Sequence, residues 1–214
     1  MRNDSLDSQR QLIMGDLGPV TWRENWARVR AEPCDIERLR LSLQWAVFTV
    51  HSQVAESEKS FRFYATTGAL RTACLADRRT RALESVDAFC RALRWRTFAR
   101  ASTAAKIDQI VRAVYGLGYA KATFALTFAG LIDVACMDVH AIRRGLGQER
   151  AQWRDARAYL ADVRRAFGCV RGSGRRQWAA YEQWVPAFAR SQHASIFEIV
   201  CNNRADSPSV TVIH

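Results

Sequence analysis

Apolar residues recur at three- and four-residue spacing along most of the chain, and the alternation of a half-buried strand is nearly absent. Residues 22–31 read as a short helix closed off by Pro33. Asp35 is placed to cap the next helix, whose apolar positions include Ile36, Leu39, Leu43, Ala46, Val47 and Val50. Further helices are predicted over 59–75 and 80–98, the latter with Leu83, Val86, Phe89, Cys90 and Leu93 on one face. Ser102 or Thr103 caps a helix running to Tyr115. Gly116-Leu117-Gly118 then forms a tight break before a helix over 119–129, which Gly130 interrupts. Residues 139–146 start another helix that Gly145 and Gly147 end, and 150–167 follow as a helix. Residues 168–174 read as a basic, glycine-containing loop. Residues 177–201 read as a last helix or pair of helices, with Pro186 as a possible kink, before an irregular tail over 202–214. No internal repeat or low-complexity tract occurs. The expected fold is all-α: a single domain over 1–214, one body of about nine helices.

Charge adds a partner to this picture. The 214 residues carry a net charge of +11, and 32 Lys and Arg face 21 Asp and Glu. Only Lys59, Lys106 and Lys121 are lysines; the rest are arginines, by codon bias or for forked phosphate contacts. Between Arg143 and Arg190, eleven arginines stand against four acids. Such an excess suits a polyanion. Hydrophobic residues at 49% exclude a disordered chain, and no apolar run reaches the length of a membrane span. Met1 to Ser5 is polar with no apolar signal region, so a cytoplasmic, nucleoid-associated protein without membrane contact is expected. Cys34, Cys74, Cys90, Cys136, Cys169 and Cys201 include no Cys-x-x-Cys pair, which argues for reduced, buried thiols and against a metal site or cofactor.

The stretch that carries chemistry runs from Val114 to Gly147. In Val114-Tyr115-Gly116-Leu117-Gly118-Tyr119-Ala120-Lys121, two glycines let the backbone turn and expose N–H groups where the next helix begins. The partial positive charge of that helix start suits a phosphate. A plain helix–helix turn would use the same glycines. Asp138, in Met137-Asp138-Val139-His140-Ala141-Ile142-Arg143, suits an N-cap by itself.

Together, the Gly-x-Gly hairpin and the Asp-Val-His twenty residues beyond Gly118 resemble the helix–hairpin–helix DNA glycosylase superfamily, which includes endonuclease III, adenine glycosylase and 8-oxoguanine glycosylase. Upstream, Leu43-Gln44-Trp45-Ala46-Val47-Phe48-Thr49-Val50-His51-Ser52-Gln53 is similar to an early family helix ending in a DNA-inserting Gln. The resemblance covers residues 36–150 and is specific over 114–147. It implies two small helical lobes with a DNA-facing cleft, Asp138 as the catalytic carboxylate, and Gly116 and Gly118 as a phosphate grip. Gln53, Lys121, His140 and Arg143 complete the implied DNA-binding set. Bifunctional members carry a Lys two residues past the second glycine, where this chain has Ala120. Lys121 is one residue late, about 100° of helix rotation, which argues against lyase chemistry. The implied function is a monofunctional N-glycosylase, a monomer acting on double-stranded DNA with a damaged or modified base. Trp45, Tyr115, Tyr119 and Trp178 are aromatic candidates for core or pocket. Two other readings keep DNA as partner: a phage-type transferase that hypermodifies a base on the same fold, and a non-catalytic DNA-binding helical module.

Overall fold

The computed structural model describes residues 22–31, 33–50, 54–70 and 76–184. Every regular element among them is a helix: α1 (Trp22–Ala31), α2 (Ile36–Phe48), α3 (Val54–Thr67), α4 (Ala76–Ala92), α5 (Trp95–Arg100), α6 (Thr103–Ala113), α7 (Tyr119–Phe128), α8 (Val139–Ala141, continuing as a π-helical turn over Ile142–Leu146), α9 (Ala156–Phe167) and α10 (Ser173–Trp184). The all-α expectation holds. No described helix is long and apolar enough to cross a membrane.

The caps explain where several helices start. Asp35 accepts a hydrogen bond from the Arg38 N–H, Ser102 from that of Ala105, and Asp155 from that of Ala158. The last cap moves the start of α9 to Ala156, later than the residue 150 expected. Gly168, left-handed at φ 74°, closes the same helix. Thus the expected loop over 168–174 is shorter, because α10 already begins at Ser173. The third helix spans Val54–Thr67 where 59–75 was expected. The later part of the expected helix over 177–201, Pro186 and the tail over 202–214 lie outside the described residues.

The predicted helix over 80–98 breaks at Leu93 and Arg94 into α4 and α5. Nine residues separate Phe89 from Phe98, which on one continuous helix is half a turn of rotation. The break brings the two rings together, 5.9 Å apart and edge to face, with Phe98 buried. Packing of one aromatic pair outweighs helix continuity there.

At the centre lies α2, packed against α7, α4 and α3. Leu39, Leu43, Trp45, Ala46 and Phe48 are completely buried on it, and Trp45 and Phe48 meet Phe61 of α3. Each such side chain contributes about 1.5–3 kcal/mol by leaving water. Val50 lies just beyond the helix but packs against the same core. Trp45 and Trp178 are therefore core residues. Tyr119 is half-buried, stacked on Tyr159, and Tyr115 alone of the four aromatic candidates is exposed.

Candidate functional site around Asp138

Two connections flank α7, and both belong to the site. The first is the hairpin from Val114 to Gly118. Gly116 is left-handed at φ 78°, a conformation that costs any residue with a Cβ about 1–2 kcal/mol. Gly118 caps α7 with φ −85° and ψ −179°, ordinary extended backbone. A Cβ on Gly118 would meet nothing within 4 Å. Neither its conformation nor its neighbours therefore require a glycine. Among the described residues, the N–H groups of Gly116 and Gly118 donate to no protein acceptor. Ser85 of α4 ties the hairpin down by accepting the Tyr115 N–H at 2.9 Å.

The second connection, Ile132 to Asp138, is neither helix nor strand. Backbone partners serve two of its groups, with the Asp133 carbonyl accepting the Gly172 N–H at 2.9 Å and the Asp138 N–H donating to the Cys136 carbonyl at 2.8 Å, and side chains serve others. Arg30 donates to the Ile132 carbonyl at 3.0 Å. The Thr127 hydroxyl donates to the Val134 carbonyl at 2.8 Å. Tyr159 donates to the Ala135 carbonyl at 2.8 Å and accepts the Met137 N–H at 3.0 Å. Helix α10 supplies the rest from three positions four residues apart. Ser173 accepts the Ala135 N–H at 2.9 Å. Gln177 accepts the Cys136 N–H at 2.6 Å and donates its amide to the Cys136 carbonyl. Tyr181 donates its hydroxyl to Oδ2 of Asp138.

Asp138 ends this segment and starts α8. Its Oδ1 accepts the N–H groups of His140 and Ala141 at 3.0 and 2.9 Å. With Tyr181 on the other oxygen, three of about four acceptor positions of the carboxylate are taken. The N-cap expected of Asp138 is therefore present, and a second anchor fixes the carboxylate from the opposite side. Tyr181 in turn accepts a hydrogen bond from Gln177 at 3.0 Å. Burial and the adjacent Asp138 charge push the Tyr181 phenol far above its ordinary range, so it stays a donor. The exposed His140 ring lies edge-on to Tyr181 with centroids 6.2 Å apart.

Lys121 lies in the first turn of α7, three residues past Gly118. Its ammonium donates to the Thr49 hydroxyl at 2.8 Å, next to the end of α2. The preceding carbonyl, of Ala120, accepts the Cys136 thiol at 3.3 Å. Burial pushes that thiol up to about 12; the Asp138 charge adds to the rise and Lys121 opposes it. Lys121, Cys136 and Asp138 thus share one electrostatic neighbourhood. Arg143, one turn beyond Asp138, is exposed and holds Glu149 at 2.9 Å. The structure brings Asp138, His140 and Lys121 to one region, with the hairpin at the start of the helix that carries Lys121. Gln53 lies outside the described residues. Tyr181, Gln177 and Ser173 were not anticipated, although their four-residue spacing on one helix face was visible in the sequence.

Compared with known protein families, curated proteins and solved structures, the chain finds no match.

Proposed function

We propose that the chain is a divergent helix–hairpin–helix DNA glycosylase. It flips a damaged or modified base out of duplex DNA and hydrolyses its N-glycosidic bond with Asp138. The observation that carries this reading is the anchoring of Asp138. Three hydrogen bonds hold a partly exposed carboxylate at a helix start, on a segment that side chains of α7, α9 and α10 immobilise. Breaking the C1′–N bond sends its electron pair to the departing base and leaves positive charge on the sugar. A fixed carboxylate stabilises that charge, because it needs no reorganisation as the charge develops. Water then bonds to C1′, and its proton ends on the released base. The hairpin supports DNA binding, since the N–H groups of the exposed Gly116 and Gly118 have no acceptor among the described residues. Lys121 supports a monofunctional reaction, since its amine is engaged by Thr49.

The test is mass spectrometry of small-molecule and DNA products from duplexes carrying damaged and hypermodified bases, treated with wild-type protein or Asp138→Asn. Asn also caps helices, so the fold survives the change. Free base with alkali-labile DNA is expected, reduced at least about 100-fold in the variant. Mass added to the DNA would overturn excision in favour of base transfer. Binding with neither product would overturn it in favour of a non-catalytic DNA-binding module.

A further inference from the structure

A surface pocket of about 170 Å³ opens beside the hairpin, on the side facing α4. Val47, Val50, Ala82 and Leu117 give it an apolar floor, and Arg78, Arg79 and the backbone of Gly116 stand at its edge. A closed cavity of about 150 Å³ takes one benzene ring, whereas drug-sized ligands need about 300 Å³ or more. The pocket is therefore the size of a single ring and too small for a whole cofactor. Its edge is cationic. Arg40, Arg143, Arg154 and Arg165 each have a carboxylate partner, but Arg78, Arg79 and Arg81 form no ion pair among the described residues. Arg79 lies 5.6 Å from the Phe48 ring, and Arg81 lies 4.1 Å from the ring of the exposed Tyr115. Gly116, whose N–H has no acceptor among the described residues, lines the same pocket. Ser85 binds the hairpin to α4, so the arginines and the glycine turn keep one spacing.

An apolar cup for one ring beside an anion grip is the chemistry of a nucleotide. We infer that this pocket takes one unstacked nucleotide of a DNA strand, its base on Val47, Val50, Ala82 and Leu117 and its phosphate on Arg78 and Arg79. The pocket is lined by hairpin residues and not by Asp138, and its occupation does not depend on base excision.

The experiment is fluorescence anisotropy of labelled oligothymidylate and of an abasic oligonucleotide of equal length, each across a salt series. The base-bearing strand is expected to bind on the order of tenfold more tightly. Val50→Trp, which fills the cup, should reduce that preference to below twofold while leaving abasic affinity unchanged. Arg78→Gln combined with Arg79→Gln should weaken both strands and lower the salt slope by about one to two. This surface pair keeps the test decisive if Val50→Trp does not fold. Equal affinity of wild-type protein for both strands would overturn the inference, as would an unchanged salt slope in the arginine variant. Displacement of the strand by micromolar free thymidine monophosphate would also overturn it, in favour of a soluble-nucleotide site. None of these readouts involves base release, so failure here and failure of the glycosylase reading are distinguishable.

Discussion

The connections on either side of α7 solve the same problem in opposite ways. Each leaves the helical ladder and must dispose of its backbone donors and acceptors. Between Ile132 and Asp138 the chain disposes of them internally, through Arg30, Thr127, Tyr159, Ser173 and Gln177. Between Val114 and Gly118 it leaves the N–H groups of Gly116 and Gly118 without an acceptor among the described residues. The internally bonded segment presents one side chain, Asp138, in a fixed direction. The glycine turn presents the exposed Tyr115 ring and two backbone N–H groups without an acceptor among the described residues. Rigidity suits a group that must meet one atom, and open donors suit a repetitive anion such as a phosphodiester.

Substitutions in the two segments should separate these roles. The largest effect is expected from Gln177→Ala, which removes its two hydrogen bonds to Cys136 and one to Tyr181. The Cys136 N–H is left without a partner while its carbonyl keeps the Asp138 N–H at 2.8 Å, at a cost of roughly 2–3 kcal/mol in urea denaturation. A change below 1 kcal/mol would mean that the segment is held by packing alone. Next comes Gly116→Ala, where the left-handed backbone predicts a loss of about 1–2 kcal/mol in the same measurement. The smallest stability effect belongs to Gly118→Ala. Extended backbone and open space around the new methyl predict a change under about 0.5 kcal/mol. On the proposed reading that methyl would sit where a strand approaches, so DNA affinity is expected to fall severalfold. Unchanged affinity in a folded Gly118→Ala protein would remove the hairpin from the DNA-binding surface.

Local signals carried much of the fold. Asp35, Ser102 and Asp138 cap helices as their chemistry suggests, and the glycine turn falls where the sequence places it. The split between α4 and α5 was hidden, because no glycine or proline marks it. Its cause is the meeting of Phe89 with Phe98, a matter of tertiary packing. The site was half legible. Asp138 and the hairpin announce themselves by residue type and spacing. Ser173, Gln177 and Tyr181 show only a periodicity of four, while their targets lie some forty residues earlier in the chain. Periodicity names a face of a helix but not what that face will meet.

The reach of α10 back to Asp138 also orders events in time. A ribosome adds roughly 5–20 residues per second and releases the earlier part of a chain first. The hairpin and α7 therefore emerge seconds before Ser173, Gln177 and Tyr181 exist to hold the 132–138 segment. In a growing chain the carboxylate is aligned only once α10 has been made. Synthesis itself thus delays the fixing of Asp138 until the described helices before α10 have emerged.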